Sequence, residues 1–497
     1  MQKILEGSLI YRAIAAAWVW FGAQWRKSRI IRVFLAPGIG EEASANSIFT
    51  RIWLWFHRLL CTVFEKLKLN KLLSGSIFTM PFIWGVIVVF LAPILPTMAV
   101  LGLSLVCIVS LILAFACDRE KKLVYSPMNK FILLYAFIYI VATLTSVTLS
   151  GSLLGGALTT LFILFAIFMQ NAVTTRRQLD TLIYAFVISG AAVSLYGLYQ
   201  YFFGTFVASG WVDSGMFSEI GVRVYSTLGN PNVFSEYLLL VIPFAGACIM
   251  IAKRVWVKLF FAGCIALMLM CMLLTFARGG WLGLIVAAAI FLILLDRRFI
   301  IVGIVGLILL YFVLPDFILE RFFSIGDTGD TSTNFRLFIW LGTISMLRDY
   351  WFTGIGPGTE AFNMVYPLYS YNTAFSLHSH NLYLQLICDA GVCGILSFFM
   401  ILFAYFRNLC ISVARANSHA RRASPADSPP VLSLPQESHA METVRHSKIL
   451  RIAAISSVIG FLVQSATDHS FYNYRVTIVF WAVIGIGLLA ARWERLA

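Results

Sequence analysis

The stretch EYLLLVIPFAGACIMIAKRVWVKLFFAGCIALMLMCMLLTFARGGWLGLIVAAAIFLILLDRR, residues 236–298, decides the fold. It holds three apolar runs, 236–252, 258–276 and 281–295. Lys253, Arg254 and Lys258 mark the first connection, Arg278 the second, and Arg297-Arg298 closes the third run. An apolar run of about 17–25 residues is long enough to cross a bilayer as a helix. Three such runs in close succession read as three crossings of a membrane.

The rest of the chain extends that reading. It is 497 residues long, 60% hydrophobic and 12% charged, against about 45–50% and about 25% in soluble proteins. Charge this sparse cannot cover a water-facing surface, so a single soluble domain is excluded. Nine further runs lie at 79–95, 97–116, 130–149, 153–170, 180–203, 299–315, 382–406, 450–467 and 475–491. The expected class is all-α, a polytopic membrane protein of about twelve transmembrane helices. Pro93-Ile-Leu-Pro96 separates the first two runs as a tight turn or a kink. Of nine cysteines, Cys107, Cys248, Cys264, Cys271 and Cys388 lie inside apolar runs and act there as small hydrophobes. No CxxC and no Cys/His pair points to a structural zinc.

Thirty-seven Lys and Arg against 23 Asp and Glu leave a net charge of +14. No basic face with interleaved aromatics stands clear of the membrane, which argues against nucleic acid. The basic residues follow alternate runs instead: Arg119, Lys121 and Lys122; Arg176 and Arg177; Lys253, Arg254 and Lys258; Arg297 and Arg298; Arg407, Arg415, Arg421 and Arg422; Arg492 and Arg495. The positive-inside rule then places both termini in the cytoplasm of a multi-pass protein of the cytoplasmic (inner) membrane.

Four regions follow. Residues 1–76 form a cytoplasmic amphipathic region, in which Ser47 to Leu73 sets Trp53, Trp55, Phe56, Leu59 and Leu60 against Arg51, Arg58, Lys66, Lys68 and Lys71, a pattern suited to the headgroup layer. Residues 9–25 are apolar, but they are short and carry Arg12, and the basic cluster Arg26–Arg32 follows them, unlike a cleavable signal peptide. A membrane core spans 77–406, with outward loops at 204–235 and 316–381. Residues 407–449 are expected to be a disordered cytoplasmic linker, rich in Ser, Pro, Ala, His and Arg over 416–447. Residues 450–497 hold the last two spans and a cytoplasmic tail.

Four outward residues carry chemistry: Arg223 in Arg223-Val-Tyr-Ser-Thr-Leu-Gly-Asn-Pro-Asn232, Arg278 in Thr275-Phe-Ala-Arg-Gly-Gly-Trp281, Arg336 in Asn334-Phe-Arg-Leu-Phe-Ile-Trp340, and His380 in Ser376-Leu-His-Ser-His-Asn-Leu-Tyr383. Outward arginines run against the charge bias that marks the other loops. Each can snorkel to lipid phosphate or cap helix carbonyls. Gathered with a histidine, they suit an anionic group, because guanidinium forks bind two oxygens at once. A histidine's ordinary pKa near about 6.5 lets it take a proton at neutral pH, although an interfacial histidine can also simply bond its own loop. His378 raises the question of a metal, but on a helix the pair would face apart and no third ligand sits close in sequence. Gly354, Gly356 and Gly358 read as a tight turn, and Gly391 and Gly394 as sites of close helix packing. Asp468, His469 and Tyr472 lie in the last outward turn and can approach the same mouth.

With these residues the chain resembles the O-antigen ligase and O-antigen polymerase superfamily of membrane glycosyltransferases. The most specific match is His380-Asn381, nine residues, Gly391, two residues, Gly394. The segments Arg223–Asn232, Arg278-Gly-Gly-Trp281 and Phe335–Trp340 are similar to further family motifs in the same order, and the likeness covers roughly 77–491. The resemblance implies a GT-C-like fold with a large extracytoplasmic loop between spans nine and ten, no cofactor and no metal. It implies a glycan donor on a polyprenyl (undecaprenyl) diphosphate, used at the outer face among membrane lipids, with a glycan, lipid or wall-polymer acceptor. By the same resemblance Arg223 and Arg278 would hold the diphosphate, Arg336 would assist, His378 and Asn381 would contact substrate, and His380 would be the general base of an inverting transfer. The match at His380 favours a ligase, with a repeat-unit polymerase as the alternative and a membrane transporter as the second. A transporter should carry ionisable groups near the midplane, and the spans carry almost none.

Overall fold

The computed structural model describes residues 48–124, 126, 128–204, 222–296, 298–324, 330–422 and 435–496. The readings of residues 9–25 and 26–32 and of most of the 204–235 loop lie outside the described residues. Among those described, all regular structure is helical: α1 (Ile48–Lys66), α2 (Leu69–Leu73), α3 (Pro81–Leu91), α4 (Thr97–Ala116), α5 (Asn129–Leu144), α6 (Leu149–Ala172), α7 (Arg176–Phe203), α8 (Pro231–Ile251), α9 (Val255–Leu274), α10 (Arg278–Leu295), α11 (Phe299–Val313), α12 (Asp316–Phe323), α13 (Thr331–Tyr350), α14 (Thr359–Val365), α15 (Leu382–Arg422), α16 (Pro435–Gln464) and α17 (Tyr474–Leu496).

Nine of these are long and apolar enough to cross a membrane: α4, α6 to α10, and the apolar parts of α15, α16 and α17. The other three expected spans are shorter apolar helices, α3 with 11 residues, α5 with 16 and α11 with 15. At about 1.5 Å per residue, helices of 11–16 residues fall short of a hydrocarbon core about 30 Å thick. The expectation of twelve therefore resolves into nine full-length helices and three short ones. For α3 the reason is local: the chain leaves the helix after Leu91 in a turn through Pro93, and Pro96 caps the start of α4.

The most buried helices are α8, α16 and α17, so they form the centre of the bundle. Around Phe398 of α15 pack Phe471, Phe480 and Tyr135, with Trp481 behind them. The outer helices α9 and α10 leave large apolar side chains such as Leu259, Phe260 and Leu282 uncovered, which lipid tolerates and water does not.

The two ends of the bundle differ in kind. At one end Arg119 pairs with Glu65, Lys253 with Glu442, and His446 with Asp180, while Arg176 donates to Thr443. Here α1 docks on the end of α4, with His57 buried and bonded to the Phe115 carbonyl at 2.9 Å. This corrects the linker expectation: α15 continues to Arg422, α16 begins at Pro435, and His446, Ser447 and Ile449 are buried in the bundle. The polar composition of 441–449 serves ion pairs with the neighbouring helix ends instead of solvation alone. Residues 423–434 lie outside the described residues. At the other end, α13 and α14 cover the bundle with a small core of their own, built from Ile339, Met346, Ile355, Phe362 and Tyr366, while α12 packs Ile318, Phe317 and Phe322 into the main core.

One helix is broken. Ala390 and Gly391 leave helical geometry inside α15, with Gly391 at φ +62°. The segment 351–355 enters the break, where Val392 N–H donates to the Trp351 carbonyl at 2.9 Å and Ile355 N–H to the Cys388 carbonyl at 2.6 Å. A Cβ on Gly391 would stand 1.9 Å from the Phe352 carbonyl oxygen. Gly391 therefore serves a break and not the helix packing expected of it; Gly354, at φ +72°, ends the segment against Cys388 and Gly391, while Gly356 and Gly358, also at positive φ, carry the turn on against Ser146 and Gly151.

Candidate active site

The site is assembled at the end covered by α12 to α14. The segment before α8 delivers Arg223, whose Nε donates to the Thr275 carbonyl at 2.7 Å and whose Nη2 donates to Asn232 at 3.0 Å. Asn230 caps α8, Pro231 occupies its first turn, and Asn232 then points back, its amide donating to Asp468 at 2.9 Å. One side chain thus links Arg223 to the turn between α16 and α17.

Arg278 opens α10. The glycines after it let neighbours come close: a Cβ on Gly279 would meet Thr467 Oγ1 at 2.5 Å, and one on Gly280 would meet Ser235 at 2.7 Å. Phe276 and Trp281 receive Phe317 and Phe322 of the amphipathic α12, which carries Arg321 and Ser324 over the Arg278 guanidinium. Arg278 donates to the Ser324 carbonyl at 2.8 Å, to Thr333 at 3.2 Å, and to the fully buried Asp330, with which it is ion-paired. Arg321, itself buried, stands 3.9 Å from the same carboxylate. Burial alone would raise the Asp330 carboxyl, but Arg278 and Arg321 hold it below its ordinary value.

Arg336 completes a group of four guanidiniums. Burial first, and then Arg321, Arg336 and Arg278, lower Arg223 to about 9. Arg336 donates to Ser332 at 2.9 Å, and its Nε is buried without a hydrogen-bond partner among the described residues. An N–H of this kind is a donor that an anionic oxygen can take up.

His380 sits at φ +49° ahead of α15, its carbonyl bonded by Trp340 Nε1 at 3.3 Å. Its Nδ1 lies 3.2 Å from Asp468 Oδ1, and the side chain is 25% exposed, enough for a substrate to reach it. Burial would raise Asp468, yet His380 and Arg336 hold it well below the usual carboxylate range. The Asn381 side chain is used on both sides: its oxygen caps Leu384 N–H at 3.0 Å and its nitrogen donates to the Ala466 carbonyl at 2.8 Å. His378 Nδ1 accepts the His380 backbone N–H at 3.2 Å. Both residues therefore position His380 in this structure.

Positive φ outside glycine is rare and costs about 1–3 kcal/mol in each instance. Six such residues occur among those described, and Ser226, Phe276 and His380 fall one in each of three site segments. The surrounding packing holds them in conformations that the chain alone disfavours.

Three imidazoles cluster here, His378 with its ring centroid 4.2 Å from that of His380 and 5.3 Å from that of His469. Burial, with His380, His469 and Arg336 adding to it, holds His378 well below its ordinary value. Burial likewise takes His469 down to about 3, Asp468 opposing and His380 assisting. Both rings are neutral in the fold, while the unfolded chain protonates them near about pH 6.5. The unfolded state then binds protons that the folded state excludes, so stability is full above pH 6.5 and falls as the pH drops. The loss approaches about 1.4 kcal/mol per pH unit for each ring. Thermal unfolding of the detergent-purified chain between pH 7.5 and 5 is expected to show a falling midpoint, less steep in His469→Gln; a midpoint independent of pH contradicts this.

One ligand atom from each of His378, His380 and Asp468 falls within 4.8 Å of the others, so the three could hold a metal ion by spacing alone. The four guanidiniums oppose a cation there and favour an anion.

Residues 263–399 match the family model described as O-antigen ligase. This match over 263–399 supports the resemblance to the O-antigen ligase superfamily. No curated protein matches the chain as a relative. The O-antigen ligase match contains Arg278, Arg321, Arg336, His378, His380 and Gly391. Together with nine helices long and apolar enough to cross a bilayer, the match supports a multi-pass membrane protein with ligase- or polymerase-like glycosyl transfer. Arg223 and Asp468 lie outside the matched segment and reach the site only through the fold. Sequence reasoning passed over Arg321 and Asp330 because a loop carboxylate and a basic residue on a short helix carry no spacing signal. It noticed Asp468 only as a neighbour of the mouth.

The Arg278–Asp330 pair also makes a separable prediction. Arg278→Ala leaves a buried carboxylate short of its partner and is expected to destabilise the protein by about 3 kcal/mol. Adding Asp330→Ala should restore most of that loss without restoring transfer. Equal stability of single and double variants in thermal unfolding would remove the pair from the account.

Proposed function

We propose that the protein transfers a glycan from a polyprenyl diphosphate to an acceptor hydroxyl at the outer face of the cytoplasmic membrane. The observation that carries this is His380, backed by an ionised Asp468 and placed beside four guanidiniums of which Arg336 is only partly satisfied.

His380 Nε2 takes the proton of the acceptor hydroxyl as its oxygen attacks the anomeric carbon. The bond from that carbon to the diphosphate oxygen breaks, and the electron pair leaves with the polyprenyl diphosphate. Direct displacement inverts the anomeric centre. Asp468, on Nδ1, keeps the proton-accepting nitrogen turned to the acceptor and steadies the imidazolium that forms. Arg336, with Arg223, Arg278 and Arg321 around it, meets the charge that grows on the leaving group, which is strongest help where water is excluded. Asp330 keeps Arg278 and Arg321 in place before the donor arrives. A divalent ion has no part in this scheme, because guanidiniums neutralise the diphosphate.

The test is reconstitution with radiolabelled polyprenyl-diphosphate glycan and envelope acceptor, with and without chelator, products being sized on a gel. One shifted band, indifferent to chelator, identifies a ligase. A regular ladder identifies a polymerase. No product from the wild-type chain, or product that needs a divalent ion, overturns the proposal.

A further inference from the structure

A concavity lies on the face of α13 turned away from the arginine group. Arg336 and Thr333 turn toward the arginine group, whereas Thr331, Asn334, Phe335 and Phe338 recur at helical spacing along one stripe and line a groove of about 370 Å³. Asn372 and Thr373 form its opposite wall. The groove begins beside the general base, the Phe335 ring standing edge-on to His380 with centroids 6.4 Å apart.

Its chemistry is distinct from that of the arginine group. No charged side chain lines it. The polar groups are amides and hydroxyls, which both donate and accept. The apolar ones are aromatic rings, Phe338 being backed by Tyr371 at 5.8 Å. A sugar ring has this same division, with C–H faces that lie on aromatic rings and a rim of hydroxyls that pairs with amides. The volume lies within the range of about 300–1,000 Å³ typical of ligand sites.

The far wall is held under strain. Asn372 and Thr373 have φ of +52° and +54°. Asparagine accepts that region, but a β-branched threonine there is an outlier. The turn persists because buried Ala374 ties it down, its N–H donating to the Tyr371 carbonyl at 3.1 Å and its carbonyl accepting Tyr366 Oη at 3.0 Å. Strain of this kind gathers at ligand sites, where the surroundings enforce it.

We propose that this groove is a saccharide subsite that receives a neutral sugar ring next to the reacting centre. The proposal deepens the transfer reading and rests on it for which glycan arrives, donor or acceptor; the groove's own chemistry is independent of it.

The test uses the full chain in detergent and neutral oligosaccharides freed by mild acid from the donor pool and, separately, from the acceptor pool. Saturation-transfer NMR reads contact with sugar C–H protons. Asn372→Gly removes one amide at a backbone position where glycine is unstrained, so it folds, and it is expected to weaken binding about five-fold. Phe338→Ala removes the ring and should weaken binding at least as much. A signal from one oligosaccharide that both variants diminish supports the subsite and assigns it to donor or acceptor. A signal equal in wild type and variants, or none from either oligosaccharide, overturns it. Groove-dependent binding with no transfer activity would sink the transfer reading alone, and transfer without groove-dependent binding would sink the subsite alone.

Discussion

His380→Ala is expected to lower glycan transfer by about 10²–10⁴-fold, the usual reach of a general base, while the diphosphate donor still binds. The separation follows from the geometry. The guanidiniums of Arg223, Arg278, Arg321 and Arg336 come from the segment before α8, from α10, from α12 and from α13. None of the hydrogen bonds described above for these four runs to the His380 ring. Asp468→Asn should fall between wild type and His380→Ala, because the base remains but its orienting charge is gone. Single-turnover rates with radiolabelled donor, set beside donor retention on the protein, make the measurement. Equal loss of binding and rate in His380→Ala would show that the imidazole holds the donor and is not its base.

The second large effect is structural. Gly391→Ala puts a methyl group 1.9 Å from the Phe352 carbonyl oxygen at a backbone position of φ +62°. Neither neighbour can give way cheaply, since 351–355 satisfies the backbone of the broken α15 through Val392 and Ile355. The expected cost is at least about 4 kcal/mol, a large share of the about 5–15 kcal/mol that holds a typical domain. Full-length protein recovered as a single folded species by size exclusion should disappear. Gly263→Ala on α9, where an added Cβ meets nothing within 4 Å, is the matched control and should behave as wild type. A folded Gly391→Ala of normal yield would mean that the break in α15 is not required.

The break shows what reading outward from residues can and cannot reach. The spacing from His380 to Gly391 is visible in the chain, but the φ of Gly391 and the segment that fills the gap are properties of two pieces some forty residues apart meeting in space. Charge patterning singles out Arg223, Arg278 and Arg336, because they fall at the ends of runs where the alternation of basic connections expects none. It does not speak for Asp330, whose place in a polar loop looks like any solvated carboxylate until Arg278 and Arg321 close on it. In the segment 441–449, His446 and its neighbours read as solvated linker, although the same side chains find Asp180 and the helix ends.

By itself the sequence determined that this chain is a multi-helix membrane protein with its unusual arginines and a histidine in the loops of one side. Those are one-dimensional properties: the length of an apolar run against the thickness of a bilayer, and the sign of the charge at each end. Tertiary structure alone decided that Asp468, 88 residues away, stands against His380. It also decided that Asp330 locks Arg278, that His378 and Asn381 position His380, and that one face of α13 opens a groove beside it. Each of these depends on which helix ends pack together, and lipid-facing helices of similar apolar composition carry little record of their neighbours.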